Sequence, residues 1–196
     1  MASDTISSAN CYLIGDVAVG KTCLLMTFVT NSFPSDYIPT VFDCTSACLI
    51  VDGNPVTLYC YDTHTFGTGE EDKHNPRPLA RPRVDVFLLC FDVTRASTLQ
   101  SVEAKWSAKL NSEFPSVPVV LVGTKVDLRD NNEELEEQGL LPVTHAQGVQ
   151  MQRKIGAFSY VECSSLKHLN LRMVFEEAAR ASLLQSGVTQ GRCSLL

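Results

Sequence analysis

The chain has 196 residues, with 16 Lys and Arg against 22 Asp and Glu, a formal charge of −6. That length suits one domain with short tails, and the acidic balance excludes a general nucleic-acid binder, which would be basic. Charged residues at 19% and hydrophobic ones at 44% exclude wholesale disorder. Met1-Ala2-Ser3-Asp4 does not read as a secretory leader, so export is not expected, and Ala2 stands where myristoylation needs glycine. The apolar runs are of strand length, far below the roughly 20 residues of a membrane span. The chain is therefore expected in reducing cytoplasm, where its eight cysteines read as free thiols. Cys44 and Cys48 lack a second pair of ligands, which argues against zinc.

In chain order, 10–14 reads as a strand and 20–30 as a helix. The runs 47–51 and 56–61 flank Asp52-Gly53-Asn54-Pro55, a hairpin signal. A mostly apolar run, 84–92, is of the buried-strand type. Leu99, Val102, Trp106 and Leu110 fall at helical spacing. Another buried strand is predicted at 119–122, a short acidic exposed helix at 131–138, and a helix at 146–155. A short strand at 158–161 and a terminal helix at 171–184 complete the pattern. Strands alternating with helices predict an α/β fold with a mostly parallel sheet. Residues 31–43 and 62–83 break the pattern, and loops of that length are usually functional.

Between the first strand and helix stands Gly15-Asp16-Val17-Ala18-Val19-Gly20-Lys21-Thr22, which fits G-x-x-x-x-G-K-[ST] in its strand–loop–helix context. Backbone N–H groups of Gly15, Ala18, Val19, Gly20 and Cys23 would face phosphate oxygens, aided by the helix N-terminus. Lys21 would reach the β- and γ-phosphates, and the Thr22 hydroxyl would ligate Mg²⁺. After the strand at 119–122 comes Gly123-Thr124-Lys125-Val126-Asp127. The Asp127 carboxylate can accept from guanine N1–H and its exocyclic amine, a pair adenine lacks. Ser164-Ser165-Leu166, after the next strand, could offer N–H to guanine O6.

With these motifs in order, the chain resembles the Ras superfamily and, within it, Rac-like members of the Rho family. Tyr37-Ile38-Pro39-Thr40-Val41-Phe42-Asp43 resembles the Rho switch I, and 131–141 sits where Rho proteins carry an insert helix, about three residues shorter. The resemblance implies a P-loop GTPase domain over residues 8–184, a six-stranded mostly parallel sheet flanked by helices, and a GTP/GDP switch with Mg²⁺. It implies that Phe33 stacks on guanine, that Thr40 ligates Mg²⁺ when the γ-phosphate is present, and that Asp62 holds the metal through water. Catalytic roles would fall to Lys21, Thr40 and the residue that orients the attacking water. It further implies effectors docking through Tyr37 to Asp43, exchange factors, GTPase-activating proteins and a prenyl-binding dissociation inhibitor.

Three departures bear on chemistry. Val17 replaces the family's Gly, and its β-branched side chain would crowd the γ-phosphate and a partner's arginine finger, which is worth about 10³–10⁵ in rate. Switch II, normally Asp-Thr-Ala-Gly-Gln-Glu, reads Asp62-Thr63-His64-Thr65-Phe66-Gly67-Thr68-Gly69-Glu70-Glu71. With four extra residues, Glu70 takes the place of the catalytic glutamine; without that register, Phe66 does. Neither supplies an amide, so impaired hydrolysis is expected. His64 reads as a solvent-exposed loop residue. Cys44-Thr45 and Tyr61 replace an Asn-Tyr pair and a Trp that bear on effector and exchange-factor choice in Rac-like proteins.

The tail, 185–196, ends in Cys193-Ser194-Leu195-Leu196, a C-a-a-X motif whose terminal Leu favours geranylgeranylation of Cys193. One lipid without a second anchor binds membranes weakly, and 185–192 holds a single Arg and no Cys. Localisation to cytoplasm and the cytoplasmic face of membranes, the plasma membrane first, is expected. Cys23, beside the phosphate loop, is the candidate redox-sensitive thiol.

Overall fold

The computed structural model describes residues 7–34, 44–63, 83–129 and 141–190. Six strands form one sheet: β1 (Ser7–Gly15), β2 (Thr45–Val51), β3 (Asn54–Asp62), β4 (Val86–Asp92), β5 (Val119–Thr124) and β6 (Ser159–Glu162). Their order is β2-β3-β1-β4-β5-β6. Only β2–β3 pairs antiparallel. The helices are α1 (Lys21–Thr30), α2, α3 (His145–Ile155) and α4 (Leu171–Gln190). Helix α2 runs through Ala96–Ser101, a wider π-type stretch at Val102–Ser107, and Ala108–Glu113.

The apolar runs are continuous because both sheet faces are covered, as parallel sheets require. Every residue of β4 is buried. Val86, Leu88 and Cys90 join Cys11, Leu13, Val120 and Val122 on one face, under Leu24 and Leu25 of α1 and Val174, Phe175 and Ala178 of α4. Phe87, Leu89 and Phe91 join Tyr12, Ile14 and Leu121 on the other. There Leu99, Val102, Trp106 and Leu110 of α2 pack, the four residues whose spacing predicted the helix.

The hairpin forms where predicted. Asp52 and Gly53 both take positive φ, 52° and 80°, the tight turn whose twist matches paired strands. Helix α3 starts at a capping box in which Thr144 and Gln147 satisfy each other's backbone N–H groups. It stops at Gly156, φ 68°. Helix α4 extends to Gln190, six residues past the predicted end at 184, so the first half of the expected tail has helical backbone. The predicted acidic helix at 131–138 lies outside the described residues.

Candidate functional site

The phosphate loop leaves β1 at Gly15, whose φ is +137°. A Cβ there would stand 2.2 Å from the Cys90 carbonyl oxygen of β4, so no other residue fits. The loop then turns through Ala18 at φ 62° and Gly20 at φ 95°, which caps α1. Lys21 is buried, and its Nζ donates to the carbonyls of Gly15 at 3.0 Å and Asp16 at 2.8 Å. Burial lowers its pKa, against the opposing pull of Cys90, Asp62 and Asp16. The ammonium thus lies folded across the loop it serves. Trp106 of α2 donates its indole N–H to Asp16 Oδ1 at 2.9 Å, strapping the loop from the side. Val17 is 81% exposed, its side chain standing clear of the loop.

At the end of β3, Asp62 is buried and its Oδ2 accepts a short hydrogen bond from the Thr22 hydroxyl. Its Oδ1 is buried with no hydrogen-bond partner among the described residues. A hydroxyl and an unsatisfied carboxylate oxygen side by side make a hard-oxygen donor pair that fits Mg²⁺. Thr63 Oγ1 donates to the Leu13 carbonyl at 2.7 Å, closing the chain down on β1.

The second loop arrives from β5. The Thr124 hydroxyl lies 2.6 Å from the Val19 carbonyl and 2.9 Å from that of Phe91. Lys125, at φ 61°, donates to the Ala18 carbonyl at 2.9 Å and to Asp92 Oδ2 at 2.7 Å. Asp127 is half-buried in the 3-10 turn Val126–Leu128. The third loop joins it through Val126 N–H to Cys163 O, 3.3 Å. Ser164 is fully buried, and its Oγ accepts from Lys167 N–H at 3.0 Å. Ser165 is half-buried and Leu166 half-exposed. Behind this loop Arg129 forks the Glu162 carboxylate at 2.7 and 2.8 Å, and Tyr160 donates to the same carboxylate at 2.7 Å. Burial alone would raise the Glu162 carboxyl; the Arg129 and Tyr160 hydrogen bonds outweigh it and hold it below the usual range.

The structure therefore brings the 15–23 loop, Asp62, 124–127 and 164–166 to the C-terminal edge of the sheet, where α/β folds bind ligands. Phe33 follows α1 and is 37% exposed. Thr40, His64, Phe66, Glu70, the switch I segment 37–43 and Cys193 lie outside the described residues. Seven cysteines are described, all free thiols: Cys11, Cys60, Cys90 and Cys163 buried, Cys23 half-buried, Cys44 and Cys48 exposed. Burial raises the Cys23 thiol pKa, with Lys125 opposing; a protonated thiol is a poor match for a redox sensor. Two site residues escape a reading of the sequence. By spacing Trp106 reads as core alone, and Asp92 as a strand end. A carboxylate closing an otherwise apolar strand, with Thr two residues on, is the available signal.

No helix among the described residues is long and apolar enough to cross a membrane. The Ras family model matches residues 10–184. With the phosphate loop, the base loop and the sheet order in agreement, the chain belongs to the Ras family, the P-loop small GTPases that bind guanine nucleotide with Mg²⁺ and interact with effectors, exchange factors and GTPase-activating proteins.

Proposed function

We propose that this small GTPase is a Rho-type, GTP-loaded signalling switch whose hydrolysis is impaired. The carrying observation is Val17, 81% exposed at the rim of an otherwise complete phosphate loop. An isopropyl group there stands free to occupy the space needed by an attacking water's positioning group and by an arginine finger. Glu70 or Phe66 in place of the glutamine points the same way, since neither donates an amide hydrogen bond to the transition state.

In this reading Gly15, Ala18, Val19, Gly20 and Cys23 supply backbone N–H groups to phosphate. Lys21 exchanges its two carbonyl partners for phosphate oxygens. Thr22, Asp62 and Thr40 would hold Mg²⁺, which would supply charge neutralisation to the phosphates. Asp127 reads guanine, Thr124 and Lys125 hold that loop in place, and Ser164 to Leu166 and Phe33 complete the base pocket. The segment Tyr37 to Asp43 meets effectors. A geranylgeranyl group on Cys193 gives weak, reversible attachment to the cytoplasmic face of membranes, and a prenyl-binding dissociation inhibitor is a fitting partner. Actin or polarity signalling is the role by analogy with Rho proteins.

A second reading, favoured by the same Val17, is an interaction module held permanently with GTP and regulated by its expression. Two measurements test these readings. Nucleotide released from purified protein and separated on a column is expected to be mostly GTP. Single-turnover hydrolysis of preloaded GTP is expected to be slow, insensitive to a GTPase-activating protein, and faster in Val17→Gly. An ordinary rate accelerated by such a protein refutes impaired hydrolysis; no detectable turnover favours the second reading. Cys193→Ser should lose the membrane fraction, and an unchanged fraction refutes the anchor.

A further inference from the structure

Asp92 closes β4 with a side chain only 2% exposed, beside the phosphate loop. Thr94 fixes the orientation of that carboxylate. Oδ1 accepts from the Thr94 N–H at 2.9 Å and the Thr94 hydroxyl at 2.7 Å. Its own backbone N–H donates to Thr98 Oγ1 at 3.1 Å. Oδ2 is thereby aimed at Lys125, whose Nζ lies 2.7 Å away.

Lysine is a point charge on a flexible four-carbon stem, so one hydrogen bond does not fix its course. Here the ammonium is held between two elements, the Asp92 carboxylate of β4 and the Ala18 carbonyl of the phosphate loop. Lys125 also begins the turn that carries Asp127, and its backbone is in the left-handed region, φ 61°. Strand end, phosphate loop and base loop therefore meet at one nitrogen atom. A neighbouring Thr124 contact, to the Val19 carbonyl at 2.6 Å, parallels the second link without involving Asp92.

We propose that Asp92 is a positioning residue for nucleotide retention: by anchoring Lys125 it holds the base loop against the phosphate loop and so slows release of bound guanine nucleotide. The inference rests on the guanine-nucleotide reading of the site. Asp92 reaches the nucleotide only through Lys125. Asn at this position keeps the shape, and its carbonyl can still accept from Thr94. Its amide then turns donors toward the ammonium, which leaves Lys125 tethered to Ala18 alone.

The test is the release rate of N-methylanthraniloyl-GDP from the full-length chain in Mg²⁺ buffer, followed by rapid mixing. Asp92→Asn is expected to speed release about ten- to a hundredfold, the scale of one lost charge-assisted hydrogen bond. In a Lys125→Met background the same change should alter the rate by less than about twofold, because the residue through which Asp92 acts is gone. General loosening of the fold would speed release equally in both backgrounds, and that result overturns the proposal. So does an Asp92→Asn rate equal to the parent's. If Asp92→Asn does not fold, Thr94→Val replaces it, with faster release expected and an unchanged rate again overturning the proposal. A parent chain that retains no labelled GDP overturns the nucleotide reading itself, a result distinct from the other two.

Discussion

Gly148 sits inside α3, where helix propensity says that alanine is better by about 1 kcal/mol. The packing reverses that sign. A Cβ on Gly148 would lie 2.2 Å from Tyr160 Cζ and 2.3 Å from its Cε1 and hydroxyl oxygen, where carbon contacts normally settle at about 3.5–4.0 Å. The ring must therefore move by more than about 1 Å. It is not free to do so: its hydroxyl is bonded to Glu162, its face stacks near Phe91 at 6.1 Å, and the His145 ring lies 5.5 Å away. Overpacking costs ~1–3 kcal/mol, and loss of a hydrogen bond to a carboxylate ~1.5–3 kcal/mol. Set against the propensity gain, Gly148→Ala is expected to destabilise by about 2–5 kcal/mol, or roughly 4–20 °C in Tm for a chain of this length. Urea and thermal unfolding at fixed GDP and Mg²⁺ would measure it, since bound ligand shifts both. In a Tyr160→Leu background the same substitution should turn neutral or stabilising. A Gly148→Ala protein that is more stable than its parent would refute the reasoning.

Three further outcomes are expected. Gly15→Ala combines a backbone at φ +137° with a 2.2 Å approach to Cys90 O, so it should lose about 2–6 kcal/mol; a loss under about 1 kcal/mol in urea unfolding would contradict this. The depressed pKa of Glu162 means that its fork with Arg129 contributes stability above the ordinary value of 4.5, lost as pH falls through the lower folded value. Glu162→Gln should accordingly flatten the fall of Tm below about pH 4.5, and an unchanged acid limb would count against the pair. Cys23, with its thiol pushed up by burial, should react with iodoacetamide appreciably only above the ordinary cysteine value of 9.0, as read by peptide mass; rapid labelling at neutral pH would restore it as a redox candidate.

Much of the scaffold was legible because local chemistry decides it. The mostly apolar run 84–92 reads as a strand covered on both faces, and Asp52-Gly53-Asn54-Pro55 as a hairpin turn. The phosphate loop was legible for the same reason: its glycines meet demands of backbone geometry that no neighbour can relieve. Illegible features depend on partners far along the chain. Trp106 and Asp16 are 90 residues apart, and Asp92 and Lys125 are 33. No periodicity brings such pairs together; the parallel pairing of β4 with β5 does so for the second. The last six residues of α4 are illegible for a different reason. Ser186, Gly187 and Thr189 carry low helix propensity and no apolar stripe, so nothing in their pattern announces a helix.

At the other end of the sheet, Arg180 of α4 grips the Asp52 carboxylate at 2.9 and 3.1 Å, at the tip of the β2–β3 hairpin. An exposed pair like this adds little stability, yet it fixes where the hairpin tip rests on the last helix. The C-terminal helix and the sheet's outer edge are thus joined directly through side chains. Their relative placement rests partly on one exposed ion pair, and rising salt should loosen that link while leaving the fold intact.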